Sequence, residues 1–408
     1  MPTTPEPDLD VLVVGAGPAG VAAAITAHRH GLHTACVDRA TFPRDKTCGD
    51  GLTAAALRLL EDLGVSVPEI ASTQPISTVV LRGPNGRVSE LPLPRDGHHA
   101  VVTTRLDLDA ALVEHARAAG VPVHEGRAVT SLRVTRTGAV VEHGAGPHTE
   151  TTTARYVIAA DGHYSTVRRI AVPETDRDLG SWHAFRQYFS GVDDDRLWVL
   201  FEADLLPGYA WVFPLPGDRA NVGFGVLRDE RTTGKQLAAL WRNLLARPAL
   251  RDVLGPRAEP TAPHRAWPIP ASFDPRRATA GRVLFAGDAA GVVDPMTGEG
   301  IAQALESGML AARAIADGGP VAAVDAAYRR RLDRTLGRDL RLAHRLQLLL
   351  RSRVTTAGVL ALVDATPWTR RNFARWLFED YPRALAITPD RWRRGVFTPP
   401  GAYLPPAS

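Results

Sequence analysis

Asp10-Val11-Leu12-Val13-Val14-Gly15-Ala16-Gly17-Pro18-Ala19-Gly20 is the stretch that decides the fold. The apolar run Asp10 to Val14 reads as a short buried strand. An Ala-rich stretch, Val21 to Arg29, reads as an amphipathic helix punctuated by Gly31. A second apolar run, Thr34 to Val37, ends at Asp38. Strand, glycine turn, helix, strand and acid in this order form a dinucleotide-binding unit. Gly15 permits the tight turn, Gly17 lets the backbone approach a pyrophosphate, and Gly20 lets helix and strand pack closely. Pro18 and Ala19 open the helix, whose free N–H groups and positive dipole end face the phosphates. Asp38 is placed to accept adenosine ribose hydroxyls, with Arg39 beside it in the candidate cofactor set. The unit serves FAD and NAD alike.

Two distant motifs favour FAD. Tyr156 to Ala160 reads as a strand followed by Asp161-Gly162. Arg282 to Ala286 reads as another, followed by Gly287-Asp288 and then Asp294-Pro295-Met296-Thr297-Gly298-Glu299-Gly300-Ile301, which opens a long helix. With the N-terminal fingerprint, this order resembles the flavoproteins that include the aromatic hydroxylases and the geranylgeranyl reductases. The resemblance implies non-covalent FAD, with Asp288 on the ribityl chain and Pro295, Gly298 and Gly300 letting backbone pass the isoalloxazine ring. The helix starting near Glu299 and Ile301 would direct its positive end at flavin N1 and O2, where reduced flavin is anionic. Arg105 opens a helix predicted to run to about Ala119, and the resemblance places it on the FAD phosphates.

Two further segments narrow the branch. Phe42-Pro43-Arg44-Asp45-Lys46-Thr47-Cys48-Gly49-Asp50-Gly51-Leu52 resembles a cysteine–glycine segment of the geranylgeranyl reductase family, with Thr47 where relatives often carry proline. It implies that Cys48 and Gly49 lie against the flavin. Leu206-Pro207-Gly208-Tyr209-Ala210-Trp211-Val212-Phe213-Pro214 resembles that family's substrate-cavity motif. On a strand, Tyr209, Trp211 and Phe213 share one face. They would form an apolar wall for a hydrophobic small-molecule or lipid substrate, or a plain core face.

The rest of the sequence sets bounds. A chain of 408 residues suggests two or three interlocked subdomains. No stretch approaches the ~18 uninterrupted apolar residues of a membrane span, and residues 1–9 lack the pattern of a secretory signal. Cys36 and Cys48 are the two cysteines, not a disulfide framework, which fits a reducing cytoplasm. The net charge is +4, carried almost wholly by arginine, with Lys46 and Lys235 the only lysines. No zinc-finger spacing or RNA-binding aromatic motif appears, so no nucleic-acid partner is expected. His28, His30 and His33 read as exposed, and no metal is expected.

The expected fold class is α/β: a Rossmann-like FAD-binding domain with an inserted antiparallel β-sheet substrate domain and C-terminal helices. The FAD domain is expected at 1–75, 100–175 and 276–325, the substrate sheet at 76–99 and 176–275. A helical region follows at 326–395, then a Pro-rich tail at 396–408. Asp325 to Arg353, with Leu332, Leu336, Leu340, Leu346 and Leu350, reads as one amphipathic helix packed on the FAD domain. A role at substrate entry or at the inner face of the cell membrane is its alternative reading.

The resemblance implies an ene-reductase that delivers hydride from flavin N5 to an alkene carbon, with NADPH, NADH or ferredoxin as electron donor. Cys48 and Tyr209 are the candidate proton-handling residues. An FAD-dependent monooxygenase tailoring a hydrophobic metabolite is the rival. A halogenase fits poorly because Lys46 lies inside the cofactor segment and Lys235 opens a predicted surface helix. An electron-relay protein would need no apolar wall.

Overall fold

The computed structural model describes residues 7–93, 99–172, 180–228, 233–378 and 384. The Pro-rich segment 396–408 lies outside them. The helices among these residues are α1 (Pro18–Arg29), α2 (Ala54–Asp62), α3 (Arg105–Ala118), α4 (Thr166–Ala171), α5 (Gly234–Ala246), α6 (Pro248–Leu254), α7 (Ile301–Ala316), α8 (Val321–Leu332), α9 (Arg338–Leu349), α10 (Arg353–Val363) and α11 (Pro367–Phe378).

The first sheet runs in space as Thr279–Ala280, Val283–Phe285, Glu150–Ala159, Leu9–Val14, Thr34–Val37 and Val123–His124. From Val283–Phe285 to Val123–His124 every neighbour is parallel. Parallel strands need crossovers that cover both faces, so their sequences are apolar on both sides. Val11, Val13, Cys36 and Ile158 pack with α1 and α7. Leu12, Val14, Val37 and Val157 fill the opposite layer. Helices α1 and α7 meet almost backbone to backbone: a Cβ on Gly308 would lie 2.1 Å from the Ala19 carbonyl oxygen.

The second sheet orders Glu259–Pro260, Trp182–Ser190, Arg219–Leu227, Tyr209–Leu215, Leu197–Leu200, Thr78–Arg82 and Val88–Pro92, with Arg265–Ile269 also paired to Trp182–Ser190. It departs from a purely antiparallel sheet at one place: Leu197–Leu200 runs parallel to Thr78–Arg82. These strands come from separate excursions of the chain, so no hairpin forces them antiparallel. One face packs under α5 and α6, where Phe185, Phe224 and Trp241 stack. The other face turns toward the first sheet. Between the two sheets lies a small three-stranded one, Gly51–Thr53, Ala100–Val102 and Gln74–Pro75.

The helix expected over 325–353 is interrupted. A π turn at Asp333–Gly337 joins α8 to α9, and the chain then bends by 114° into α10. Leu332 and Leu340 are buried, as the leucine spacing requires. Among the described residues no single helix is long and apolar enough to cross a membrane.

Candidate active site

A cavity of about 800 Å³ extends from the glycine turn, along the inner face of the second sheet, to the C-terminal helices. Its first end is built from backbone. Gly15 has φ +102°, and a Cβ there would lie 2.3 Å from the Ala160 carbonyl oxygen. A Cβ on Gly20 would lie 1.7 Å from the Gly15 carbonyl oxygen, so only glycine lets α1 start here. At Gly17 the open direction points to two cations: a Cβ would sit 3.5 Å from Arg44 Nη2 and 3.9 Å from Arg105 Nη2. Helix α1 begins at Pro18 with no side-chain cap and no acid in its first turn, which leaves its N-terminal donors available.

Arg105 is held by a buried acid. Its Nε and Nη2 donate to Asp109 Oδ1 and Oδ2, both at 2.7 Å, and Asp109 also pairs with Arg44 Nη1 at 2.8 Å. Burial works against the Arg105 cation, but Asp109 holds its pKa above the ordinary value. Asp38 ties the turn to the second strand: Ala16 N and Ala40 N donate to its two oxygens, each at 2.7 Å. Asp38 and Arg39 both line the cavity, as do Pro18 and Ala19. Gly20 stands one layer behind, in the helix–strand contact.

The middle of the cavity is lined by Asp161, Gly162, Gly287, Asp288 and the segment Met296 to Ile301. Burial alone would push the Asp288 carboxyl up, but Lys46 Nζ, 2.9 Å away, holds it below the usual carboxylate range. Asp161 Oδ2 accepts from Val167 N at the start of α4, and burial raises its pKa. The 294–300 turn is organised by Asp294, whose Oδ1 accepts from Met296 N and Thr297 N at 2.9 and 2.8 Å. Gly298 takes φ +70°. Pro295 is buried behind the lining, its carbonyl accepting from Gln347 Nε2 at 2.8 Å. Helix α7 starts at Ile301 without a side-chain cap, so a second helix N-terminus opens on the cavity.

Cys48 and Gly49 lie under the aromatic strand. Cβ atoms on Gly49 and Gly51 would contact the Phe213 ring at 3.4 and 3.3 Å. The Cys48 thiol is raised by burial, which Arg105 and Lys46 only partly offset, so it stays protonated at neutral pH. The loop is fixed by residues that the motif reading passes over. Asp50 is wholly buried with φ +65°, and its Oδ2 accepts from Tyr188 Oη and Asn221 Nδ2, each at 2.7 Å. Burial pushes this carboxyl up to about 6, against those bonds and the charges of Arg186 and Arg105. Asn221 also donates to the Cys48 carbonyl at 2.8 Å and accepts from Trp211 Nε1 at 3.0 Å. Arg186 lies over the Tyr188 ring at 4.1 Å and donates to Asp45. The signal for Asp50 was present as a carboxylate between two glycines, but Tyr188 and Asn221 sit more than 130 residues away.

Tyr209, Trp211 and Phe213 share the cavity face of Tyr209–Leu215, with successive ring centroids 6.1 Å apart. The Tyr209 hydroxyl donates to the Thr297 carbonyl, tying this wall to the 294–300 turn. Leu81, Val199 and Phe201 extend the wall across neighbouring strands. The far end is closed by Leu346 and Leu350 around α9, Leu360 of α10, and Phe373 and Trp376 of α11. Among the described residues no group of His, Cys, Asp or Glu could hold a metal ion.

These residues fit FAD. Gly17 leaves room for a diphosphate between an uncapped helix end and two guanidinium groups, where any side chain would intrude. Asp38 and Asp288 line the same cavity.

Residues 8–319 match the model of the FAD binding domain family. A menaquinone reductase of Mycobacterium tuberculosis is 33% identical over 315 residues, covering 74% of this chain and 75% of its own. A digeranylgeranylglycerophospholipid reductase of Methanopyrus kandleri is 32% identical over 320 residues, covering 76% and 77%. The fold is similar to a geranylgeranyl bacteriochlorophyll reductase-like protein of Thermoplasma acidophilum, at TM-score 0.78 and 22% identity over 94% of this chain and 98% of that one. A flavin-dependent brominase has the same fold at TM-score 0.73, 20% identity and 94% and 97% coverage.

Proposed function

The chain belongs to the FAD binding domain family and is an FAD-dependent oxidoreductase of the geranylgeranyl reductase type, and from that premise we propose that it reduces carbon–carbon double bonds of an isoprenoid-bearing substrate. One observation carries the reading: the cavity that starts at the glycine turn continues into an apolar chamber walled by Tyr209, Trp211, Phe213, Leu360 and Phe373. Relatives named for menaquinone and for digeranylgeranylglycerophospholipid support an isoprenoid chain as the occupant.

FAD, when bound, supplies a hydride donor at its N5 position. The chain supplies the rest. Arg44, Arg105 and the α1 N-terminus hold the diphosphate, and Asp38 and Asp288 take ribose and ribityl hydroxyls. The α7 N-terminus opens on the cavity and would favour negative charge on a group held there. The aromatic wall aligns the alkene and keeps water out. The Cys48 thiol, kept protonated by burial, holds the proton for the second alkene carbon. Tyr209 is the other candidate, and its bond to Thr297 gives it a positioning role. NADPH, NADH or ferredoxin serves as electron donor. The sequence carries one glycine fingerprint, so a nicotinamide nucleotide binds only in passing.

Mass spectrometry of product formed by the reduced holoenzyme without oxygen tests this. A polyprenyl lipid without a quinone ring should gain two hydrogens, and Cys48→Ala should slow turnover by about a hundredfold with flavin retained. Product that forms only with oxygen, and carries an oxygen atom from it, would overturn the reading.

A further inference from the structure

We propose that the elbow between α9 and α10 docks on an anionic lipid bilayer and sets the cavity mouth against the acyl region. The inference rests on the reading of the cavity as a chamber for an isoprenoid chain.

Three observations converge on this elbow. First, six of the ten exposed large apolar side chains among the described residues fall between 348 and 368. Val354 is 81% exposed, Leu362 68% and Trp368 72%. Helix α10 carries apolar side chains on both sides: Leu360 and Val363 face inward, while Val354, Val359 and Leu362 face out. Exposed apolar side chains opposite a packed face need an apolar partner of their own. Second, the sequence from Leu340 to Val363 contains no acid and carries Arg341, Arg345, Arg351 and Arg353. The last three are exposed on both sides of the 114° bend. Arginines flanking exposed leucines and valines match an interface of anionic headgroups over acyl chains. Third, Leu349 and Val359 are exposed and also line the cavity, so the chamber opens within this surface. An isoprenoid chain can then pass from bilayer to chamber without exposing its apolar surface to water. The arginines on α9 and the bend at its end favour lying on the bilayer over spanning it.

The test uses the full-length holoenzyme and co-sedimentation with vesicles, in the absence of substrate. Vesicles of phosphatidylcholine with phosphatidylglycerol should bind the protein, and vesicles of phosphatidylcholine alone should bind it at least tenfold more weakly. The triple variant R345Q/R351Q/R353Q should lose about fivefold per arginine, or about a hundredfold in all. The triple variant L348N/V354N/L362N should keep its flavin and its circular dichroism and lose vesicle binding. Equal binding to both vesicles, or unchanged binding by either variant, would overturn the proposal. So would a wild-type dimer in sedimentation equilibrium that L348N/V354N/L362N converts to monomer, because the surface would then join two copies of this chain. The assay contains no substrate, so it fails separately from the reductase reading: reduction of detergent-dispersed substrate without vesicle binding sinks the docking surface alone.

Discussion

The two ends of the cavity are made in opposite ways. At the phosphate end the contacts are backbone and charge, set by glycines where a Cβ would strike an oxygen, at Gly15 and Gly20. At the chamber end they are apolar side chains drawn from several strands and the C-terminal helices, and each can vary in size while the wall persists. The first end is fixed by hard sterics and short sequence spacing, the second by shape summed over distant residues. Substitutions should therefore be nearly all-or-none at one end and graded toward the other.

Gly20→Ala tests the rigid end most severely. Its Cβ must displace the Gly15 carbonyl, so the chain should purify without flavin colour or fail to fold, a loss of ~3 kcal/mol or more. Retained flavin absorbance would remove the contrast. Arg105→Gln comes next. It strips the bidentate partner from Asp109, which is fully buried, and denaturant titration should show a loss of about 3 kcal/mol. FAD affinity should fall by two orders of magnitude or more.

Asp50→Asn probes the seam between the two ends through pH. The folded Asp50 pKa is raised from 3.8 to about 6, so between these values the folded chain binds more protons than the unfolded one. Stability from this carboxyl is thus greatest below about pH 4 and is lost as pH rises to about 6. Melting curves should show the wild type losing about 2–3 kcal/mol relative to Asp50→Asn across that window. Parallel curves would show that Asp50 does not ionise there. Tyr209→Phe should have the smallest effect. It removes the bond to the Thr297 carbonyl, worth ~1 kcal/mol. Flavin content should stay unchanged and turnover should fall by less than tenfold; loss of flavin would tie Tyr209 to the cofactor end.

The same contrast explains what the sequence disclosed. The glycine turn was legible because strand, turn and helix are consecutive, and Thr34–Val37 falls where the apolar run places it. The shared face of Tyr209, Trp211 and Phe213 followed from strand periodicity once the family resemblance had marked the segment. Asp50 was overlooked because its left-handed backbone and its bonds to Tyr188 and Asn221 arise only when two sheets meet. The π turn at Asp333–Gly337 was missed because Leu332, Leu336 and Leu340 keep helical spacing through it. Phe373 and Trp376 gave no local sign of reaching the cavity, since α11 contributes through packing on α10 rather than through a motif.

The most direct test is spectroscopic. Holoenzyme is reduced under nitrogen until its yellow colour is bleached, and a polyprenyl lipid without a quinone ring is then added without oxygen. The account predicts that the colour returns on mixing and fails to return with a saturated analogue of the same chain. A bleached enzyme that stays colourless with the unsaturated chain and recovers only when air is admitted would contradict it.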